Sequence, residues 1–122
     1  MKNAINWFEI PVSDMPRACR FYGAIFDTAL HASPMCDGEV AVLPYTDGAV
    51  GGSLFKHVDL TPAAQGTLVY LNGGDDLNTI LERVGAAGGT VALPKTAITP
   101  EIGYMALFID SEGNRVGLHS PH

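Results

Sequence analysis

The chain has 122 residues, which fits one domain, and it is 47% hydrophobic and 16% charged. It therefore buries a core and is not a disordered segment. A net charge of -6 argues against nucleic acid as the main partner, since no Lys/Arg excess is available to displace counterions from phosphate, and no apolar run approaches the roughly 20 residues of a membrane span.

Met1 to Trp7 runs directly into a strand pattern, without a signal-peptide layout. Cys19 and Cys36 are the only cysteines and form no motif, so a reducing compartment, the cytoplasm, is expected.

Ile5 to Val12 alternates as a strand, with Phe8, Ile10 and Val12 on one face and Trp7, Glu9 and Pro11 on the other. Asp14 caps a helix that takes Pro16 in its first turn and runs to about Phe26. Its apolar stripe is Met15, Ala18, Cys19, Tyr22 and Ile25. Three short strands are predicted near Thr28–Ala32, Glu39–Pro44 and Gly52–Lys56, broken at Ser33-Pro34, at Cys36-Asp37-Gly38 and at Thr46-Asp47-Gly48.

A linker over about 59–66 leads to a second run of the same order. Thr67–Asn72 reads as a strand. A helix follows with Leu77, Ile80, Leu81 and Val84 buried, ended by Gly88-Gly89. Thr90–Leu93 reads as a strand and Pro94–Ile102 as a loop. Tyr104–Ile109, the polar turn Asp110-Ser111-Glu112-Gly113-Asn114, and Arg115–His119 then form a hairpin.

The element order thus repeats. A shift of 62 places Asp14 on Asp76, Phe8 on Tyr70 and Trp7 on Val69, and a shift of about 65 places Asp47-Gly48 on Glu112-Gly113. The expected fold is α+β: two βαβββ modules, about 1–58 and 67–122, in one domain. They join into a curved mixed sheet, helices on its convex side and a cleft on its concave side. Trp7 and Glu9 from the first strand, and Arg115, Gly117 and His119 from the last, line the cleft in this reading.

This layout resembles the vicinal oxygen chelate superfamily: glyoxalase I, extradiol dioxygenases, and bleomycin- and fosfomycin-resistance proteins. The resemblance is carried by Phe8-Glu9-Ile10-Pro11-Val12-Ser13-Asp14, Arg17-Ala18, Phe21-Tyr22, and above all Asp110-Ser111-Glu112-Gly113-Asn114-Arg115-Val116. It implies a cleft in which the first and last strand of each module offer His, Gln or Glu to a divalent metal. Those four positions fall on Trp7, on Gly51 or Gly52, on Thr67 or Val69, and on Gly117, none of which is a usual metal-binding side chain. No metal cofactor is therefore expected. The resemblance also implies a homodimer.

The leading functional reading is a protein that binds a small organic molecule in the cleft, through Trp7, Glu9, Tyr45, Gly52, Tyr104, Gly117 and His119, with Phe108 nearby. Glu9, a carboxylate in a partly apolar pocket, is suited to act as a general base. One alternative is a lyase, isomerase or dioxygenase relative, dependent on a divalent metal held at a non-standard site with Glu9 and His119. Another is a silent scaffold whose cleft is plugged by Trp7. His31 and His57 read as surface or packing residues.

Overall fold

A computed structural model describes residues 3–122. Met1 and Lys2, part of the stretch read above for a leader, lie outside the described residues. The order is β1 (Trp7–Pro11), α1 (Met15–Phe26), β2 (Ala32–Met35), β3 (Gly38–Val42), β4 (Gly51–Lys56), β5 (Tyr70–Asn72), α2 (Asn78–Leu81), α3 (Val84–Ala87), β6 (Thr90–Thr99), β7 (Gly103–Ile109) and β8 (Arg115–Ser120).

Helix α1 forms where the sequence places it. The Asp14 carboxylate accepts the Arg17 N–H at 3.0 Å, and Pro16 occupies the first turn, where a missing N–H costs nothing. The helix stops at Asp27, whose φ of 52° is left-handed. In the second half the expected single helix divides into α2 and α3. Between them Glu82 and Arg83 stay helical, but Arg83 donates to the Ile80 carbonyl three residues back, tightening the turn. Its stripe of Leu77, Ile80, Leu81 and Val84 is buried as expected.

Two expected breaks are strand instead. Ser33-Pro34 lies inside β2, an edge strand, where a proline is tolerated. The predicted loop from Pro94 is largely β6, which pairs with β7 as far as Thr99. Pro94 falls in a register shift between Leu93 and Thr96, so the ladder requires no donor from it.

Both halves adopt the same strand order, β1-β4-β3-β2 and β5-β8-β7-β6, with the β1·β4 and β5·β8 pairs parallel. The two-module α+β architecture is as read from the sequence, but among the described residues the eight strands divide into two four-stranded sheets, not one hydrogen-bonded whole. Strands β1 and β5 are edges. A single core nevertheless spans both halves. Phe21 of α1 packs edge-on to Tyr22 at 4.9 Å and against Phe108 of β7 at 5.9 Å. At Gly89 an added Cβ would stand 2.6 Å from the Ile109 carbonyl oxygen and 2.7 Å from the Phe21 ring. Gly89→Ala is expected to lower stability by about 1–3 kcal/mol, read as a lower urea midpoint at unchanged slope.

The turn after β7 clasps the halves together. Asp110, 4% exposed, accepts hydrogen bonds from the Tyr22 hydroxyl (2.7 Å), the N–H groups of Glu112 (2.9 Å) and Asn114 (2.8 Å), and Asn114 Nδ2 (3.0 Å). Asn114 Nδ2 also donates to the Pro11 carbonyl at 2.8 Å, and Asn114 Oδ1 accepts the Ala63 N–H at 3.0 Å. Burial, with Asp110 beside it, pushes the Tyr22 hydroxyl well above its ordinary pKa.

Glu112 reaches the exposed N-terminus of α1. Its Oε1 accepts the N–H groups of Ser13 (2.9 Å) and Asp14 (2.8 Å) and Arg17 Nη2 (3.0 Å), and its Oε2 accepts Arg17 Nε (2.6 Å) and the Ser111 hydroxyl (3.1 Å). Burial alone would raise its pKa. Arg17, the two N–H groups and the hydroxyl outweigh that and hold it at about 2.

Candidate functional site

Each sheet has a face packed on the helices and a face turned away from them. In the first sheet Phe8, Ile10, Gly52 and Leu54 share the helix side. Alternation then puts Trp7 and Glu9 of β1 on the open side, beside their partners Gly51 and Ser53 of β4. In the second sheet Leu71, Val116 and Leu118 are core, so Tyr70 and Asn72 open outward with their partners Gly117 and His119.

Aromatic rings lie over glycine on both open faces. A Cβ on Gly51 would stand 2.7 Å from the ring of Tyr45, which meets Trp7 edge to face with centroids 5.7 Å apart. A Cβ on Gly117 would collide with the ring of Tyr70. The rings are substantially open to solvent: Trp7 is 40% exposed, Tyr45 49% and Tyr70 47%. Glycine lets each ring settle against the strand backbone, which a side chain would prevent.

The backbone defines how the halves correspond. The Val12 N–H donates to the Phe55 carbonyl at 3.0 Å where β1 leaves β4, and the Gly73 N–H donates to the His119 carbonyl at 2.7 Å where β5 leaves β8. Matching these bonds places Glu9 on Tyr70 and Ser53 on Gly117. The shift of 62 read from the sequence holds for the helix stripes, Met15 on Leu77 and Tyr22 on Val84. On the first strands it exchanges the faces: Phe8 points to the helices and Tyr70 away.

Two cavities flank the seam between the halves. One, about 410 Å³, has Trp7, Glu9, Gln65 and Arg115 in its walls. The other, about 610 Å³ and largely apolar, has Phe8, Phe26, Gly51, Gly52 and Tyr70. Both volumes suit a small organic molecule.

A family model described as the Glyoxalase/Bleomycin resistance protein/Dioxygenase superfamily matches residues 4–118. The chain belongs to this superfamily. Its fold is similar to that of TnmS3, an antibiotic binding protein from a Streptomyces species, at 28% identity and a TM-score of 0.65, covering 98% of this chain and 97% of that one. It is similar to a glyoxalase/bleomycin resistance protein from Albidiferax ferrireducens at 14% identity and a TM-score of 0.71, covering 95% and 97%. Glyoxalase I from Zea mays matches at 20% identity and a TM-score of 0.67; 95% of this chain aligns, spanning 45% of that longer one. No protein of curated function matches the sequence. Among the described residues no helix is long and apolar enough to cross a membrane.

The site residues expected from the sequence fall into three groups. Trp7, Glu9 and Tyr45 meet on the open face of the first sheet, and Gly117 and His119 lie on that of the second. His119 is committed to structure: its Nε2 stands 2.6 Å from the Ile102 carbonyl oxygen, so that nitrogen carries the proton and donates. Gly52 and Tyr104 are on the helix side instead. Gly52 lies beneath the Phe8 ring. Tyr104 packs on the core under the Lys95 ammonium, 4.5 Å from its ring centroid. Phe108 is fully buried core and lines no cleft. Val69 packs on the core as well, so the open position on β5 is Tyr70.

Sequence reasoning missed Ser53. It lies directly opposite Glu9, fully buried, and its hydroxyl has no hydrogen-bond partner among the described residues. An unpartnered buried hydroxyl costs about 1–3 kcal/mol. Parallel pairing of the first and last strands of the module, in register through Trp7 and Gly51, is the signal that points to it.

Proposed function

We propose that this superfamily member binds a small organic molecule on the open, aromatic faces of its sheets and acts by sequestering it, without the divalent ion of its enzymatic relatives. The observation that carries this reading is the ring-over-glycine arrangement of Tyr45 on Gly51 and Tyr70 on Gly117, which puts flat apolar surface on both open faces. The likeness to an antibiotic binding protein at 28% identity supports it. The donor set does not fit a divalent ion. None of the positions that the resemblance assigns to ligands, Trp7, Gly51 or Gly52, Thr67 or Val69, and Gly117, is a usual metal-binding side chain, and among the described residues no group of three or more His, Cys, Asp or Glu could hold a metal ion. In this reading Glu9 is the group that would exchange a proton with a bound molecule.

A second copy of the chain completes the cleft in this reading. The exposed rings and the free edges of β1 and β5 form a surface that a twofold-related copy covers. Both cysteines are unbridged, in keeping with a reducing cytoplasm.

Protein purified without chelator and supplemented with Zn, Ni, Mn or Fe is expected to retain no stoichiometric metal by elemental analysis. Retention of one ion per chain would refute the metal-free reading. Light scattering is expected to give twice the 12.9 kDa chain mass. A thermal-shift screen of aromatic compounds is expected to yield stabilisers. A chain that none of them moves is a silent scaffold.

A further inference from the structure

Resting on that reading of the first open face, we infer that the face selects a planar aromatic cation over neutral or anionic aromatics of the same size. Three features of the face lead there. Trp7 and Glu9 sit two residues apart on one side of β1, so a ring stacked on the indole brings a basic substituent to the carboxylate about 7 Å along the strand. Glu9 is exposed and, among the described residues, makes neither a hydrogen bond nor an ion pair, so no cation among those residues competes for it. Ser53 lies opposite Glu9 with its hydroxyl unsatisfied, and a carboxylate drawn across the strand by a bound cation would accept its proton.

The rings reinforce the choice of sign. Trp7 and Tyr45 stand edge to face, and each π face attracts positive charge. The net charge of -6 adds a long-range bias toward cations. One group opposes it. Arg115 forms part of the opposite wall of the cavity that Trp7 and Glu9 line, and among the described residues it is the only other charged one there. It lies beyond 4 Å of Glu9, since no ion pair joins them.

The test uses the whole chain and three flat three-ring probes: proflavine as cation, acridone as neutral ring, and anthracene-9-carboxylate as anion. Titration calorimetry gives the affinities, and quenching of Trp7, the only tryptophan, reports the site. Proflavine is expected to bind about 10-fold more tightly than acridone, with the anion weakest. Glu9→Gln, at an exposed position, is expected to bring proflavine to the acridone value while leaving acridone unchanged, with an unaltered circular dichroism spectrum. Trp7→Leu is expected to weaken all three. Equal affinity for proflavine and acridone, or proflavine binding that survives Glu9→Gln, overturns the charge selection while leaving the binding face standing. An anion that binds tightest, and loses this in Arg115→Gln, overturns it in favour of the opposite wall. If none of the three probes binds, the aromatic binding face itself fails.

Discussion

Asp110→Ala is expected to destabilise the chain by about 3–5 kcal/mol, a large share of the stability of a domain this size. The carboxylate is buried and accepts from four donors. Alanine leaves the Tyr22 hydroxyl and two backbone N–H groups with nothing to donate to and the Asn114 amide with the Pro11 carbonyl alone, and burial keeps water from substituting freely. Asp110→Asn keeps one acceptor oxygen but turns an NH₂ group toward donors, so it should recover only part of the loss. Tyr22→Phe removes a single donor and its hydroxyl together, and about 1–2 kcal/mol is expected. Urea unfolding of the three variants orders them. A wild-type midpoint for Asp110→Ala would mean that the turn contributes nothing.

The second large effect is a loss of stability in acid. The Glu112 carboxyl has a pKa of about 2 in the folded chain, against an ordinary 4.5. A depressed carboxyl stabilises the fold above its unfolded pKa, and the gain is lost as pH falls from about 4.5 toward 2. Arg17, its main partner, is half exposed, so solvent screening discounts the contribution to about 2 kcal/mol. Asp76, held below its usual range by the Asn78 N–H and by Lys95, adds to the same limb. Glu112→Gln should flatten the stability profile between pH 5 and pH 2, leaving only the residual slope of the other carboxyls. A profile that keeps the wild-type shape would place the acid sensitivity elsewhere.

Local chemistry made most of the fold readable. The Asp14 cap, the α1 stripe and the Asp110–Asn114 turn each depend on residues close in sequence, and all three appear where the sequence puts them. The errors came where a distant strand decides the outcome. Pro34 and Pro94 look like breaks locally but are accommodated by an edge and by a bulge, neither visible without the partner strand. On the candidate site, Trp7, Glu9 and Gly117 were legible because alternation along a single strand assigns their face. Gly52 and Tyr104 lie on the helix side, since one residue of register turns a position from one face to the other, and Gly52 there lines the larger cavity. Ser53 was invisible for the same reason: it gains meaning only once β4 is laid beside β1.

The Glu112 clasp also bears on how the chain is made. Arg17 and Glu112 are separated by 95 residues, and Tyr22 and Asp110 by 88. On the ribosome the first module emerges long before the turn that neutralises the front of its helix and receives its buried hydroxyl. Closing such a loop is slow and entropically costly. The first half must wait, with Phe21 and Tyr22 still lacking Phe108, until nearly the last strand has been synthesised, and that interval is when a newly made copy is most open to aggregation and most in need of a chaperone.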